Sequence, residues 1–178
     1  MTYHRHHLQW IDSAGGPLIL LSREYLTAWS GCDSPELADD AMSSAQETDY
    51  DRAGAIEGYI GVLPVAEGQG VVFWGAPMET AWWPVATNAG IFVRWSYGEE
   101  QTDVIAILTH IDEGIWESSG ITVAVGSQPL YLFDAALPGQ EVSEYLPVTL
   151  DEGTYAIDTG IARPDDRTEL VMHRFRCL

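Results

Sequence analysis

The chain has 178 residues, 46% of them hydrophobic, which fits one globular domain with a sizeable core. Its 27 acidic and 8 basic residues give a formal charge of −19, and this excludes a nucleic-acid binder because phosphate backbones are held by clustered Lys and Arg. The same charge favours a strongly basic partner, although acidity for solubility alone explains it equally well.

Targeting signals and metal-ligand patterns are weak in this sequence. No apolar run approaches the roughly 20 residues that span a bilayer, and the N-terminus has no secretory pattern, which indicates a cytoplasmic protein without a membrane partner. Cys32 and Cys177 lack a CxxC spacing and are expected to be free thiols. His4, His6 and His7 lie at a terminus with no second ligand group nearby, so we expect neither a metal nor a cofactor.

The first thirty residues predict a hairpin followed by a short helix. Residues 8–12 and 17–21 have the pattern of strands, and the glycine-containing turn between them predicts that they pair. Ser22 is placed to cap a helix through Trp29, and Gly31 is placed to end it.

An acidic run without a basic residue follows at 32–47. We predict an exposed loop here, because such runs are usually solvated connectors. The sharper interpretation is a patch that presents carboxylates to a basic partner. Its candidate partner-binding residues are Asp33, Glu36, Asp39 and Asp40.

The stretch 48–65 has the most consistent local signals in the chain. Thr48 with Asp51 predicts a capping box that begins a helix, and Gly58 is placed to end that helix. Residues 59–65 are almost all apolar, which predicts a central strand covered on both faces, followed by a hairpin into 71–74. Asp49 and Asp51 are weaker partner-binding candidates, because helix capping already explains them.

The middle of the chain predicts two further strands and a helix. Trp82 and Trp83 precede Pro84 in an extended segment, so one ring should enter the core while the other stays partly exposed as a partner-binding candidate. Residues 91–97 alternate as a strand, and an acidic first turn favours a helix at 104–111, with a strand at 104–108 as its rival.

Short apolar runs separated by turn signals fill the last third. They predict a β-rich α+β fold with a mixed or antiparallel sheet, a few short helices and a sandwich-like, mostly antiparallel C-terminal third. We expect a single domain over 1–178, with a soft boundary near 98–120 between an α+β part and a β-rich part. The expected core residues are Trp10, Ile19, Ile56, Ile60, Val62, Leu63, Val93, Trp95, Leu132 and Val171.

Catalytic signatures are weak. Asp49 with Asp51, or Asp12 with Glu57, could act as an acid and a base in a small hydrolase, but so many carboxylates make such pairs unspecific. GxSxG, HExxH and Walker patterns are absent, and we expect His110 and His173 to be surface or pocket residues, so we expect no enzyme. A sugar-binding module is another alternative, because 7 Trp and 8 Tyr accompany a β-rich pattern.

Several strings together resemble the immunity protein 21 family of bacterial polymorphic toxin systems, over nearly the whole chain. The strings are WIDSAGGPLILL at 10–21, DYDRAGAIEGYIGVLPV at 49–65, TAWWP at 80–84, IFVRWSY at 91–97, LFDAALPG at 132–139 and LVMHRFR at 170–176. The resemblance implies a cytoplasmic protein that binds and blocks a cognate toxin, without a reaction of its own. Gly54 stands where the family motif is expected to have Cys, an exchange of one small residue for another.

Overall fold

A computed structural model of the chain describes residues 8–33, 47–99 and 102–178. The strands are β1 (Trp10–Ile11), β2 (Leu18–Ser22), β3 (Ile60–Val65), β4 (Gly68–Phe73), β5 (Thr80–Ala86), β6 (Ala89–Tyr97), β7 (Glu117–Val125), β8 (Leu130–Asp134), β9 (Leu146–Val148), β10 (Gly153–Asp165) and β11 (Thr168–Cys177). The helices are α1 (Asp49–Gly54), α2 (Val104–Thr109) and two 3₁₀ helices, Arg23–Ala28 and Glu113–Ile115. The predicted β-rich α+β class is confirmed.

Two compact units share the chain, and each is assembled from separated segments. Unit 1 comprises Met1–Asp12, Met78–Ser127 and Val148–Leu178, and unit 2 comprises Ser13–Pro77 and Gln128–Pro147. The expected soft boundary near 98–120 falls inside the middle segment of unit 1. The single-domain interpretation stays a prediction.

Unit 1 contains an antiparallel sheet of six strands in the order β1-β5-β6-β11-β10-β7. Helix α2 begins where the Asp103 carboxylate accepts a hydrogen bond from the N–H of Ala106 at 2.9 Å, which satisfies a donor of the first turn. Val104 and Leu108 lie four residues apart and bury one face of the helix. They join the buried core of this unit, which contains Ala81, Ile91, Val93, Leu170 and Met172.

Unit 2 is organised around a five-stranded sheet in the order β3-β4-β2-β8-β9. Strand β2 is buried along its whole length and pairs with β4 and β8. The buried Trp29 ring donates its indole N–H to the carbonyl of Ala135 at 3.0 Å, so its one polar atom is satisfied. The core of this unit consists of Ile19, Leu21, Trp29, Ala53, Val65, Val72, Phe133 and Ala135.

The predicted hairpin of residues 8–12 with 17–21 is wrong. Strand β1 pairs with β5, whereas β2 lies in the other sheet between β4 and β8. A strand as fully buried as β2 needs neighbours along both edges, and β1 has only 2 residues to offer. The glycine-containing turn therefore does not pair the segments that flank it.

The predicted central strand at 59–65 exists as β3, but it lies at the edge of its sheet. Within the described residues its one partner strand is β4, and most of its residues are half-buried or exposed. Pro64 carries no N–H for a second neighbour, which suits an edge position. The hairpin into β4 is confirmed.

Two helix boundaries differ from the prediction. The capping box of Thr48 and Asp51 is confirmed, but α1 ends at Gly54 and not at Gly58. Gly58 does adopt the left-handed conformation, with φ of 82°, but it lies where the chain enters β3. The segment after Ser22 is a 3₁₀ helix that ends at Ala28, and the Ser22 hydroxyl donates to the Glu24 carboxylate instead of capping a backbone N–H.

The predicted core is confirmed in part. Ile19, Val93, Leu132 and Val171 are buried, while Trp10, Ile56, Ile60, Val62, Leu63 and Trp95 are half-buried. Helix α2 and the antiparallel C-terminal third are confirmed, although the strands of that third divide between the two sheets.

Arg94 and His173 are basic side chains buried in the interior of unit 1. Arg94 is 1% exposed, and His173 is 0% exposed with its Nδ1 atom 3.0 Å from the Thr159 hydroxyl. Burial, together with the charge of Arg94, holds the pKa of His173 well below its usual value. His173 is therefore neither a surface nor a pocket residue.

Candidate functional site

Three carboxylates gather around one exposed thiol in unit 2. Partial desolvation raises the pKa of the Cys32 thiol, and the negative charges of Asp134, Asp51 and Asp33 raise it further. Each of these carboxylates is thus within electrostatic reach of the same sulfur. We call Asp33, Asp51 and Asp134 the acidic cluster.

Backbone hydrogen bonds hold the thiol segment in place. The N–H of Cys32 donates to the carbonyl of Ala136 at 3.0 Å, and the carbonyl of Gly31 accepts from the N–H of Tyr50 in α1 at 3.0 Å. Gly31 has φ of 60°, and a Cβ atom there would collide with the carbonyl of Ala136. The segment is fixed between α1 and the loop that follows β8.

The acidic cluster is built from different local structures. Asp134 accepts hydrogen bonds from the N–H groups of Ala14 and Ala136, each at 2.9 Å, and this fixes its carboxylate. Asp51 accepts from the N–H of Thr48 at 2.9 Å, and this bond lowers the pKa of Asp51. Both side chains therefore carry negative charge in defined positions.

Asp49 has a structural role beside the cluster. Its carboxylate accepts from the N–H of Ser30 at 2.8 Å and pairs with the Arg52 guanidinium at 2.7 Å. The side chain is 16% exposed, and the cation next to it offsets its charge. Asp49 is thus a weaker source of field than Asp33 or Asp51, both of which are exposed.

The predicted partner-binding residues are divided between the units. Asp33 and Asp51 come together in unit 2, with Asp49 on the same short helix as Asp51. Glu36, Asp39 and Asp40 lie outside the described residues. Sequence reasoning missed Asp134, because it lies far along the chain from α1 and from Cys32, and only tertiary structure brings it near them.

Trp82 and Trp83 belong to β5 in unit 1, on opposite faces, as the sequence predicts. Trp82 is 9% exposed and packs on Phe92 at a ring distance of 4.6 Å, with Phe175 at 6.2 Å. Trp83 is half-buried against the core of unit 1. A contact between either ring and a partner stays a prediction.

An open apolar groove of about 320 Å³ lies in unit 1 between the end of α2 and β10. Its polar groups are held by neighbours: His110 Nδ1 lies 2.9 Å from the carbonyl of Ala106, Asp112 accepts from the N–H of Gly114, and Arg163 pairs with Glu169. The groove therefore suits an apolar side chain better than a reaction. Its apolar lining consists of Ile107, Ile111, Ile115, Ile161, Ala162 and Pro164.

The alternatives receive little support from the described residues. Each of the 7 Trp side chains is buried or half-buried, so none offers the open platform on which a sugar would stack. The carboxylates of Asp49 and Asp51 already accept the hydrogen bonds described above. Asp12 belongs to unit 1, whereas Glu57 belongs to unit 2. Over residues 8–33, 47–99 and 102–178 no three His, Cys, Asp or Glu side chains form a metal-binding group, and the N-terminal histidines lie outside this part of the chain.

Helices of the described part are all too short or too polar to cross a membrane. The described part of the chain is thus a β-rich α+β fold with a cluster of carboxylates in unit 2. Comparison with protein families matches residues 9–168 to the family described as Immunity protein 21. No curated protein and no solved structure gives a significant match.

This match spans most of the chain, and the chain therefore belongs to the immunity protein 21 family. The resemblance found in the sequence is confirmed. Membership makes it an immunity protein of a toxin system, and such a protein binds a cognate toxin.

Proposed function

We propose that this immunity protein neutralises a basic toxin in the cytoplasm by covering the toxin's active site, and that it does so without turnover. The contact surface is the acidic cluster together with the acidic run at 32–47. The observation that supports the proposal is that Asp33, Asp51 and Asp134 all lie within electrostatic reach of Cys32.

Electrostatics supports this choice of surface. Asp33 and Asp51 are exposed, and a field from exposed charges acts over roughly a Debye length, ~8 Å at physiological salt. A surface of one sign steers an oppositely charged partner and raises its association rate. The formal charge of −19 adds attraction at longer range.

A nuclease is the toxin class that fits this surface best. The substrate groove of a nuclease is basic because it holds phosphates, and closely spaced carboxylates can occupy the same positions. The side chains of Asp51 and Asp134 are held by backbone N–H groups, so little side-chain entropy remains to be lost on binding.

The test neutralises the acidic run. One variant combines four substitutions, Asp33→Asn, Glu36→Gln, Asp39→Asn and Asp40→Asn. Its binding is measured to the toxin domain encoded by the neighbouring open reading frame, and this toxin domain carries an inactivating substitution. We expect association to slow by about tenfold or more at low salt and its salt dependence to flatten, because steering charges act mainly on the association rate. The melting temperature should change little.

A matched control removes the same charge elsewhere. Glu67, Glu141, Glu144 and Asp166 are exposed, and replacing them with Gln or Asn changes the net charge equally. If toxin association slows equally in both variants, the loss of net charge alone explains the slower association. An unchanged association rate and salt slope in the test variant would place the interface on another surface.

A further inference from the structure

The two sheets end in four edge strands, β1, β7, β3 and β9, and three of these are poor templates for another strand. Strand β1 has 2 residues, and β9 has 3 with Pro147 in the middle. Strand β3 contains Pro64, whose carbonyl already accepts a hydrogen bond from Arg52 at 2.7 Å. Short strands and prolines are common ways to protect a sheet edge.

Strand β7 differs from the other edges. It has 9 residues, ESSGITVAV, with neither proline nor a basic residue. It pairs with β10 on one side, and the described residues contain no strand on its other side. Its first half is irregular, because the extra residues Ser119 and Gly120 form a bulge opposite β10. The regular edge is therefore Ile121–Val125.

Hydrogen bonds of the neighbouring strands show which backbone groups of this edge face outward. The carbonyl of Thr154 accepts from the N–H of Leu178 and so faces β11, whereas the carbonyl of Ile157 accepts from the Ser119 hydroxyl and so faces β7. Because successive residues of a strand face opposite neighbours, Tyr155 and Ile157 bond towards β7.

The pairing register between β10 and β7 shows which residues of β7 direct their backbone groups towards β10. Tyr155 is opposite Val123 and Ile157 is opposite Ile121, so Ile121 and Val123 face β10. The backbone N–H and C=O groups of Thr122 and Ala124 consequently point away from the sheet, and both of their side chains are exposed. The edge offers two outward-facing residues in regular β conformation.

Exposed acids stand at both ends of this edge. Glu117, which is exposed, begins β7 just ahead of the bulge. Asp151 and Glu152 directly precede Gly153, which is opposite Val125 at its end. A strand added here would meet carboxylates at each end of its paired stretch.

We propose that an extended segment of the toxin, with Lys or Arg on both sides of its paired stretch, adds as a seventh strand beside β7. The N–H and C=O groups of Thr122 and Ala124 pair with the backbone of this segment, and the flanking acids pair with its basic side chains. The proposal rests on the proposed function, since it names a contact that the toxin makes with this protein.

The first test uses the unmodified chain and hydrogen exchange. The amide protons of Thr122 and Ala124 should exchange rapidly in the free protein and become protected when the inactivated toxin domain binds. The amide of Val123, which faces Tyr155 of β10, should be protected in both states. Binding without new protection at Thr122 and Ala124 would overturn the proposal.

The second test removes the outward N–H groups one at a time. Thr122→Pro and Ala124→Pro each delete a donor that the sheet does not use, so the fold should persist. Each should speed dissociation of the toxin by about five- to tenfold, the effect of one net hydrogen bond. Thr122→Ser and Ala124→Ser keep the N–H and serve as matched controls, which should bind as the wild type does.

The outcomes separate this inference from the proposed function. If the wild-type chain does not bind the toxin domain, both fall. If it binds with steep salt dependence while the proline variants dissociate at the wild-type rate, the proposed function stands and the β7 contact is wrong.

Discussion

Asp158 is a buried carboxylate of unit 1 with two arginine partners. It is 5% exposed on β10 and accepts hydrogen bonds from Arg174 at 3.0 Å and from Arg176 at 2.7 Å, both on β11. Arg174 also pairs with Glu113 at 2.6 Å, and its guanidinium lies 4.5 Å from the centre of the Trp116 ring. These contacts join two strands to the 3₁₀ helix before β7.

We expect Asp158→Asn to destabilise the protein by about 2 kcal/mol at neutral pH. Asn keeps the shape but loses the charge, so two arginines lose their ionised partner, and hydrogen bonds to charged groups contribute about this much. Urea unfolding measures the change. Asp166→Asn is the matched control in the exposed turn after β10 and should be close to neutral.

The effect of Asp158→Asn should depend on pH. Hydrogen bonds from Arg176 and Arg174 hold the pKa of Asp158 below its usual value. A lowered pKa in the folded state means that the stabilisation is complete above the unfolded value of about 4 and disappears as the pH falls through the folded value. The difference between the wild type and the variant should thus shrink below about pH 4. A constant difference down to pH 2 would contradict this account.

Helix α1 is too short to be stable by its own propensity, and its capping box makes it predictable. The N–H of Asp51 donates to the Thr48 hydroxyl at 3.0 Å, and the Asp51 carboxylate accepts the Thr48 N–H in return. The same pair fixes one member of the acidic cluster. Local stability and the proposed contact surface are therefore coupled at this helix.

Thr48→Ala should cost about 1 kcal/mol of stability, because the first turn loses its side-chain acceptor. Thr48→Ser keeps the hydroxyl and should retain most of it, so the comparison isolates the cap. Thermal unfolding of the three proteins measures the effect. Equal melting temperatures for the Ser and Ala variants would show that the cap contributes nothing.

Local sequence signals predicted the individual helices and strands of this fold more accurately than they predicted which strands pair. The capping box at Thr48 and the strand at 91–97 each depend on a few adjacent residues, and both are confirmed. The strands that pair with β1 and β2 are β5, β4 and β8, all of which lie far along the chain from residues 8–21. No feature of residues 8–21 encodes those distances, so the hairpin prediction was wrong.

Burial was harder to predict than strand position. The apolar run of β3 indicated cover on both faces, yet Pro64 in the same run already carried the signal of an edge strand. Buried Arg94 and His173 gave no sequence signal, because their partners, such as Thr159, come from neighbouring elements. The sequence predicted a negatively charged surface, but it did not predict that Asp134 would belong to the acidic cluster.

At the scale of the whole molecule, the proposed surface leads to a competition experiment. If the acidic cluster occupies the toxin's phosphate groove, binding of the immunity protein and of a polyanion should exclude each other. Increasing heparin should displace the wild-type protein from the inactivated toxin domain, measured by fluorescence anisotropy of a labelled immunity protein. Formation of a ternary complex would show that the immunity protein binds outside the groove.

Each unit combines early and late segments of the chain, so neither unit can be completed early in synthesis. Unit 2 begins at Ser13 but needs β8, which starts at Leu130, beside β2. Unit 1 needs β11, from Thr168 onwards, between β6 and β10. Neither sheet can assemble fully on a nascent chain that has not reached these residues. A cell that begins to make toxin and immunity protein at the same moment would therefore gain no protection from partly translated immunity chains, and its safety would depend on a reserve of finished molecules.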